Sequence, residues 1–574
     1  MMNRFRPLIL TVAVVLSALL AYGLWTLPSP EHMDSEGFSA ARVVKDIEVI
    51  SKEHHSVAHP EERAAVREYL IGRLAGLGAD TVKVFRYDSI VGPKNRHVEY
   101  VFDAYDILAE YPPLKESEDT TWLMFVAHYD SRYSQPYGRD TVWSYGAADD
   151  GYGIGVTLEA VSELLEERQA WNQGVKVLFT DAEEVGMMGM SAIWENDRQE
   201  FEDVGFMINI EARGPWGPAL LFEACPGNVK VLDLYESESR YPYTYSLTTI
   251  VYEMIPNFTD FTIVKDSIPG LNFSTITDVN RYHTHHDNFS NISEKSIQHY
   301  GAQILPLARK YVLGEEYADV DALKAEEDAV NFTIPGLGLF NFSKIGYIIF
   351  NVVIFLIFLA VFGLEGVRGR IKASKVFTKS VKVLGFAFLA LICGELVAFV
   401  CGKIAGVAFK PFGIMQGIEF DNAAMIASAA LMVLICVLVY VGARAKAVRA
   451  AGASMRASAA LNAAKSHAFT ALYGSLALVF ILAAVLLIAI GENLMFLIPL
   501  ACAALAMALY HLTNLRVWLL AAIAVILLHA LSFYYALAMA LTIGAFGAVM
   551  MLAFFDFMIL IPLADIYMMP VRKK

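Results

Sequence analysis

Cysteine is scarce, with five residues in 574, and only Cys225 falls in the first 340. One cysteine cannot close an internal disulfide, so that stretch is not a cysteine-stapled secreted fold. The other four, Cys393, Cys401, Cys436 and Cys502, lie in apolar runs. The second half of the chain is short of acidic charge. Residues 28–340 hold 52 of the 59 Asp and Glu residues but 25 of the 45 Lys and Arg residues. No internal repeat is visible, and a net charge of −14 leaves no nucleic-acid partner to expect. A hydrophobic content of 56% is too high for an ordinary soluble enzyme. The acidic region is too charged for a bundle of membrane helices, so the average covers two unlike parts.

Residues 7–27, PLILTVAVVLSALLAYGLWTL, are as long as the roughly 20 apolar residues that span a bilayer. The run exceeds the ~7 to 15 apolar residues of a cleaved signal peptide, so an uncleaved anchor is expected. Seven further spans are expected near 345–364, 381–402, 423–443, 468–490, 494–511, 516–535 and 540–562. Outside the acidic region, every basic residue except Lys344, Lys403 and Lys410 falls on one side of this arrangement. Lys and Arg collect on the cytoplasmic side of short loops. Both termini are therefore expected in the cytoplasm and the acidic domain outside it. The expected order is a cytoplasmic start (1–6), an anchor (7–27), an ectodomain (28–312), a linker (313–344), a membrane domain (345–566) and a cytoplasmic basic tail (567–574). The short basic start and compact loops favour a bacterial plasma membrane, with an organelle membrane as the alternative. Glu395, His529 and Asp556 fall at membrane depth, where ionisable groups are costly. Gly402, Gly406, Gly544 and Gly547 are expected to mark close helix packing.

In the acidic region, apolar strand-like runs alternate with helical ones. Strands are expected at 99–109, 122–127, 175–180, 205–210, 219–223 and 271–276, and helices at 60–77, 153–167, 187–195, 228–238 and 295–312. Continuous apolar strands between helices indicate an α/β fold, a mixed and mainly parallel sheet with helices on both faces. An all-α multi-span membrane domain follows it.

The unusual polar residues fall at the strand ends. His128 and Asp130 follow WLMFVA, Glu183 and Glu184 follow VKVLFT, Glu211 follows GFMINI, and His283 follows LNFSTI. Asp149 and Asp150 precede the helix at 153–167. The carboxyl ends of strands line the ligand crevice of an open α/β sheet, so these segments can converge on one rim. Such a rim repels itself unless it holds positive charge. Imidazole and carboxylate ligands suit zinc or a similar divalent ion.

The series HYDS (128–131), GAADDGYG (146–153), TDAEEVGMMG (180–189), NIEARG (209–214) and YHTHHD (282–287) resembles the M28 family of zinc peptidases, its aminopeptidase group, over roughly residues 40–315. The anchor and multi-span half are similar in layout to membrane-bound members. The resemblance implies two zinc ions per chain, with Asp149 bridging them, Glu184 and His283 completing one site, and His128 and Glu211 the other. Glu183 would be the general base, and Asp130 would orient His128 from behind. Asp150 would shape the backbone, while His285 and His286 would belong to the rim. Gly151 stands where many relatives have Asn or Asp, and Glu211 where some have Asp. The activity implied is hydrolysis of N-terminal residues from peptides on the extracytoplasmic side. The partners are then a peptide substrate and the lipid bilayer, with the oligomeric state open. A single-zinc glutaminyl cyclase, a non-catalytic binding ectodomain, and a membrane region that transports something, with Glu395 as its one hook, are the alternatives.

Overall fold

The structure is a computed structural model, and it describes residues 2–23, 27–31, 37–92, 101–115, 120–137, 140–254, 257–407, 410–414, 417–450 and 457–570. The chain forms two compact units, one of Trp25–Thr333 with Leu337–Lys344, the other of Met1–Leu24, Ile334–Gly336 and Ile345–Lys574.

The first unit is built on seven strands: β1 (Thr81–Val91), β2 (Val101–Tyr111), β3 (Trp122–His128), β4 (Gly174–Thr180), β5 (Val204–Ala212), β6 (Leu220–Ala224) and β7 (Gly270–Thr275). Their order across the sheet is β1-β2-β4-β3-β5-β7-β6. The four central strands run parallel, and β1, β2 and β6 are antiparallel to their neighbours. Every residue of β4, β5 and β7 is buried, so side chains of both alternating sets are covered. That is why these strands read as unbroken apolar runs. Helices Ala40–Ile50, Gly151–Leu165 and Glu294–Leu313 pack on one another, and Gly151–Leu165 also packs on β3 and β5. The core includes Trp171, Phe125, Phe179, Tyr235, Phe273 and Tyr300.

The helices expected at 60–77, 153–167, 187–195, 228–238 and 295–312 are Pro60–Gly76, Gly151–Leu165, Met188–Asn196, Val229–Glu238 and Glu294–Leu313. The strand expected at 99–109 begins at Val101 and runs to Tyr111, with residues 99–100 outside the described set. The segment expected as a linker is not bare connection: Ala329–Ile334 and Gly338–Ser343 form a hairpin across the turn at Pro335 and Gly336.

Among the described residues, the second unit holds seven helices long and apolar enough to cross a membrane, from Lys344–Val367 to Ile543–Met568. At 1.5 Å rise per residue even the 20-residue helix Leu494–Thr513 reaches roughly 30 Å, the thickness of the hydrocarbon layer. The protein is a multi-pass membrane protein. The loop expected between the spans at 423–443 and 468–490 is largely helical, because Asp421–Ala450 and Ala457–Ile490 leave only 451–456 between them, which lie outside the described residues. The N-terminal run expected at 7–27 is instead a helix Met2–Ala21, whose apolar part Phe5–Ala21 is shorter than the other seven. Gly23, at φ 78°, takes the left-handed conformation that commonly ends a helix. Leu24, Trp25 and Thr26 lie outside the described residues.

Gly394 and Gly547 mark a close crossing of helices Ala373–Ala405 and Phe546–Met568. A Cβ on Gly394 would sit 2.5 Å from the Gly547 Cα. Gly406 serves otherwise: its φ of 74° ends the 373–405 helix, and it has open space beside it. Glu395 accepts a hydrogen bond from the Phe412 N–H at 3.1 Å. His529 and Asp556 are fully buried within the helices.

Candidate metal centre

Four parallel strands end on the same edge, and each delivers part of the site. His128 is the last residue of β3, Glu211 the penultimate residue of β5, and the Glu183–Val185 turn follows β4. His283 lies in the segment after β7. Asp149 precedes the 151–165 helix, whose N-cap Asp150 accepts a hydrogen bond from the Gly153 N–H at 2.9 Å. The Asp149–Asp150 peptide bond is cis. His128, Asp130, Asp149, Asp150, Glu183, Glu184, Glu211 and His283 come together here.

They form two groups, His128 with Asp150 and Glu211, and Asp149 with Glu184 and His283. Within each group the candidate ligand atoms lie within 4.8 Å of one another. Asp149 faces both: Oδ1 is 3.3 Å from His128 Nε2, and Oδ2 is 3.2 Å from His283 Nε2. His283 Nε2 is also 3.1 Å from Glu184 Oε2, and Glu211 Oε2 is 3.7 Å from His128 Nε2. Asp149 Oδ2 and His283 Nε2 are nevertheless buried without a hydrogen-bond partner among the described residues, as are Glu184 Oε1 and Asp150 Oδ2. Buried polar atoms that approach one another without bonding suit a shared cation rather than a hydrogen-bond network. The donor set, imidazole nitrogen with carboxylate oxygen, fits zinc. The family resemblance implies a backbone role alone for Asp150; its carboxylate also faces the His128 group.

The surroundings hold these atoms in place. His128 Nδ1 lies 3.0 Å from the Asp130 carbonyl and 3.5 Å from its carboxylate. The Asp130 carboxylate accepts the N–H groups of Glu183 at 2.9 Å and Glu184 at 3.3 Å. Ala182 precedes them with φ 59°, a left-handed conformation that costs a non-glycine residue about 1 kcal/mol. It turns the chain back so that both N–H groups meet one carboxylate.

Three supporting residues carried no assignment from the sequence. Arg132, buried, donates from Nη1 to the Glu184 carboxylate at 2.9 Å and to its carbonyl at 2.6 Å. Asp287 accepts the Ala148 N–H at 2.7 Å and the Ser144 hydroxyl at 2.9 Å, pinning the loop that carries Asp149. Burial, with the Asp149 charge adding, pushes the Asp287 carboxyl up to about 7. Asp260 receives the Thr180 hydroxyl at the end of β4. Asp287 closes the YHTHHD series and so was within reach; Arg132 and Asp260 have no local signal. The His285 and His286 rings meet at a tilt of 41°, with centroids 4.0 Å apart, and belong to neither group.

The two neighbouring glutamates differ. Burial pushes the Glu183 carboxyl up, opposed by His128 and reinforced by Glu211 and Glu184. Burial also acts on Glu184, but His283 and Arg132 outweigh it and hold that carboxyl well below the usual range.

Residues 106–308 match Peptidase family M28. Human endoplasmic reticulum metallopeptidase 1 is 29% identical over 227 residues, covering 39% of this chain and 24% of its own. The vacuolar membrane protease of Candida dubliniensis is 32% identical over 181 residues, covering 31% of this chain and 18% of its own. The chain thus spans less than a quarter of the length of these relatives. Among solved structures, a Porphyromonas gingivalis glutaminyl cyclase aligns over 48% of this chain and 100% of its own, at 17% identity and a TM-score of 0.38. A Zn-dependent exopeptidase from Parabacteroides distasonis aligns over 48% and 98%, at 17% and 0.37. The five motif segments all fall within the matched range, so the likeness to Peptidase family M28 covers the same residues that form the candidate centre.

Proposed function

We propose that the protein is a membrane-anchored zinc metallopeptidase with two ions per chain, removing N-terminal residues from peptides on the extracytoplasmic side. The observation that carries this reading is Asp149, whose two oxygens face the two histidines at 3.3 and 3.2 Å. In this reading Asp149 is shared, Glu184 and His283 complete one position, and His128 and Glu211 the other, with Asp150 close by. Bound there, divalent ions acidify water and polarise a carbonyl.

The chain's own groups do the rest. Glu183 is the proton carrier: it is adjacent to a ligand without being one, and burial favours its protonated form, which suits a group that takes a proton and later returns it to the leaving amine. Asp130 fixes His128 through its carbonyl and the Glu183–Glu184 turn through its carboxylate. Arg132 keeps the Glu184 carboxylate ionised and pointed inward.

The test is hydrolysis of peptides with free and acetylated amino termini by the purified full chain, with and without chelator, beside Glu183→Gln. We expect cleavage of the free peptides only, loss on chelation, recovery with zinc, and a drop of roughly 10²- to 10⁴-fold in kcat for the variant. Full activity in Glu183→Gln would remove the proton-carrier role. Cyclisation of N-terminal glutamine without peptide hydrolysis would replace this reading with the glutaminyl cyclase.

A further inference from the structure

Arg213 stands just past β5, two residues after Glu211. Its N–H donates to the Thr275 carbonyl at 3.0 Å, so pairing with β7 continues to this point. Side chains alternate along an extended strand, which puts Arg213 on the same side as Glu211. The guanidinium Nε and Nη2 are buried and have no hydrogen-bond partner among the described residues. The ionisable groups that act on its charge are two phenols, Tyr282 and Tyr252, with no carboxylate among them. Arg63 and Arg132, the arginines buried as whole residues among those described in this unit, are answered by Asp181 and Glu184.

Tyr282 borders the candidate centre. Tyr282 stacks on His283 with ring centroids 3.5 Å apart, and burial raises its phenol, with the charges of Asp149, Glu184 and Glu183 adding and that of Arg213 opposing. Burial raises the Tyr252 phenol, with the charges of Glu223, Glu211 and Glu183 adding. Two buried guanidinium nitrogens without a partner are costly, and the planar fork of donors matches a carboxylate two bonds at a time.

Resting on the peptidase reading, we propose that Arg213 binds a carboxylate of the substrate. The favoured substrates then carry a carboxylate next to the scissile bond, either on an acidic N-terminal side chain or as the C-terminus of a dipeptide.

The experiment uses the full chain loaded with zinc and two matched pairs, the α-anilides of glutamate and glutamine, and Leu-Leu against its C-terminal amide. Arg213→Met and Arg213→Lys are compared with wild type. Thermal shifts with L-glutamate and L-glutamine are measured alongside. We expect wild type to favour the charged member of one pair by roughly 10- to 100-fold in kcat/KM, mainly through KM. The pair that responds identifies the source of the carboxylate. Arg213→Met should bring that ratio below about 3-fold, and Arg213→Lys should keep part of it. If Arg213→Met does not fold, the Arg213→Lys ratio decides. No preference in either pair, or equal losses on both members, would overturn the proposal. If wild type cleaves nothing, the peptidase reading fails separately. In that case, stronger stabilisation by L-glutamate than by L-glutamine, lost in Arg213→Met, would still support the carboxylate site, and no such difference would overturn it.

Discussion

At the scale of single residues, the chemistry depends on giving neighbours different surroundings. Glu183 and Glu184 are adjacent in sequence, yet Arg132 and His283 meet only Glu184. Two adjacent carboxylates at a strand end are visible in the sequence. Which of them is paired is not, because the deciding partners lie 52 and 99 positions away. The same limit hid Arg132 and Asp260, each of which gains its meaning from a contact distant along the chain. A buried histidine outside the site shows how such surroundings set pH dependence. His299 accepts the Ala219 N–H at 3.1 Å through Nδ1, and burial lowers its pKa from 6.5 to about 3, with a backbone contact at Tyr241 opposing. The folded state holds this ring neutral, while the unfolded chain takes up a proton below about 6.5. Its contribution is therefore fully present above that pH and is lost as pH falls toward 3, at up to about 1.4 kcal/mol per pH unit. Replacing His299 with Gln should lower the melting temperature at pH 7.5, and the gap from wild type should narrow steadily below 6.5. A gap independent of pH would mean that the folded ring titrates normally.

At the scale of elements, periodicity was informative wherever burial is uniform. The central strands are covered on both faces, so their apolar runs identified them without ambiguity. β1 escaped because TVKVFRYDSIV alternates polar and apolar residues along an edge where half the side chains are exposed. The 329–343 hairpin escaped because its strands sit in an acidic, Pro- and Gly-containing stretch that reads as connection. In the membrane unit, helix lengths were underread because helices Asp421–Ala450 and Ala457–Ile490 run on past their apolar cores. The crossing at Gly394 and Gly547 makes a sharper demand. A side chain on Gly547 would lie 2.6 Å from the Leu391 carbonyl, so the backbones must part to admit one. Gly547→Val should lower the melting temperature of the purified protein by several degrees. Gly363→Ala, at a position with nothing within 4 Å, should leave it within about one degree. Equal tolerance at both positions would contradict the close crossing.

At the scale of the whole molecule, the division into a charged unit and an apolar unit was legible from charge alone, since acidic residues are costly in lipid and are placed elsewhere. The side of the membrane on which each lies rests on the distribution of Lys and Arg. A cysteine introduced at Ala453, in an otherwise cysteine-free chain, should react with an impermeant thiol reagent only after the membrane is opened. Reaction in intact cells or vesicles of known orientation would reverse the assignment. The central claim concerns the edge where four strand ends and the loop before the 151–165 helix bring together two histidines and four carboxylates. Its most direct test is the zinc-to-protein ratio of the purified full chain at saturation, beside His283→Ala. The account predicts close to two ions for wild type and about one for the variant; a wild-type chain that binds none, or a variant that binds as many as wild type, would contradict it.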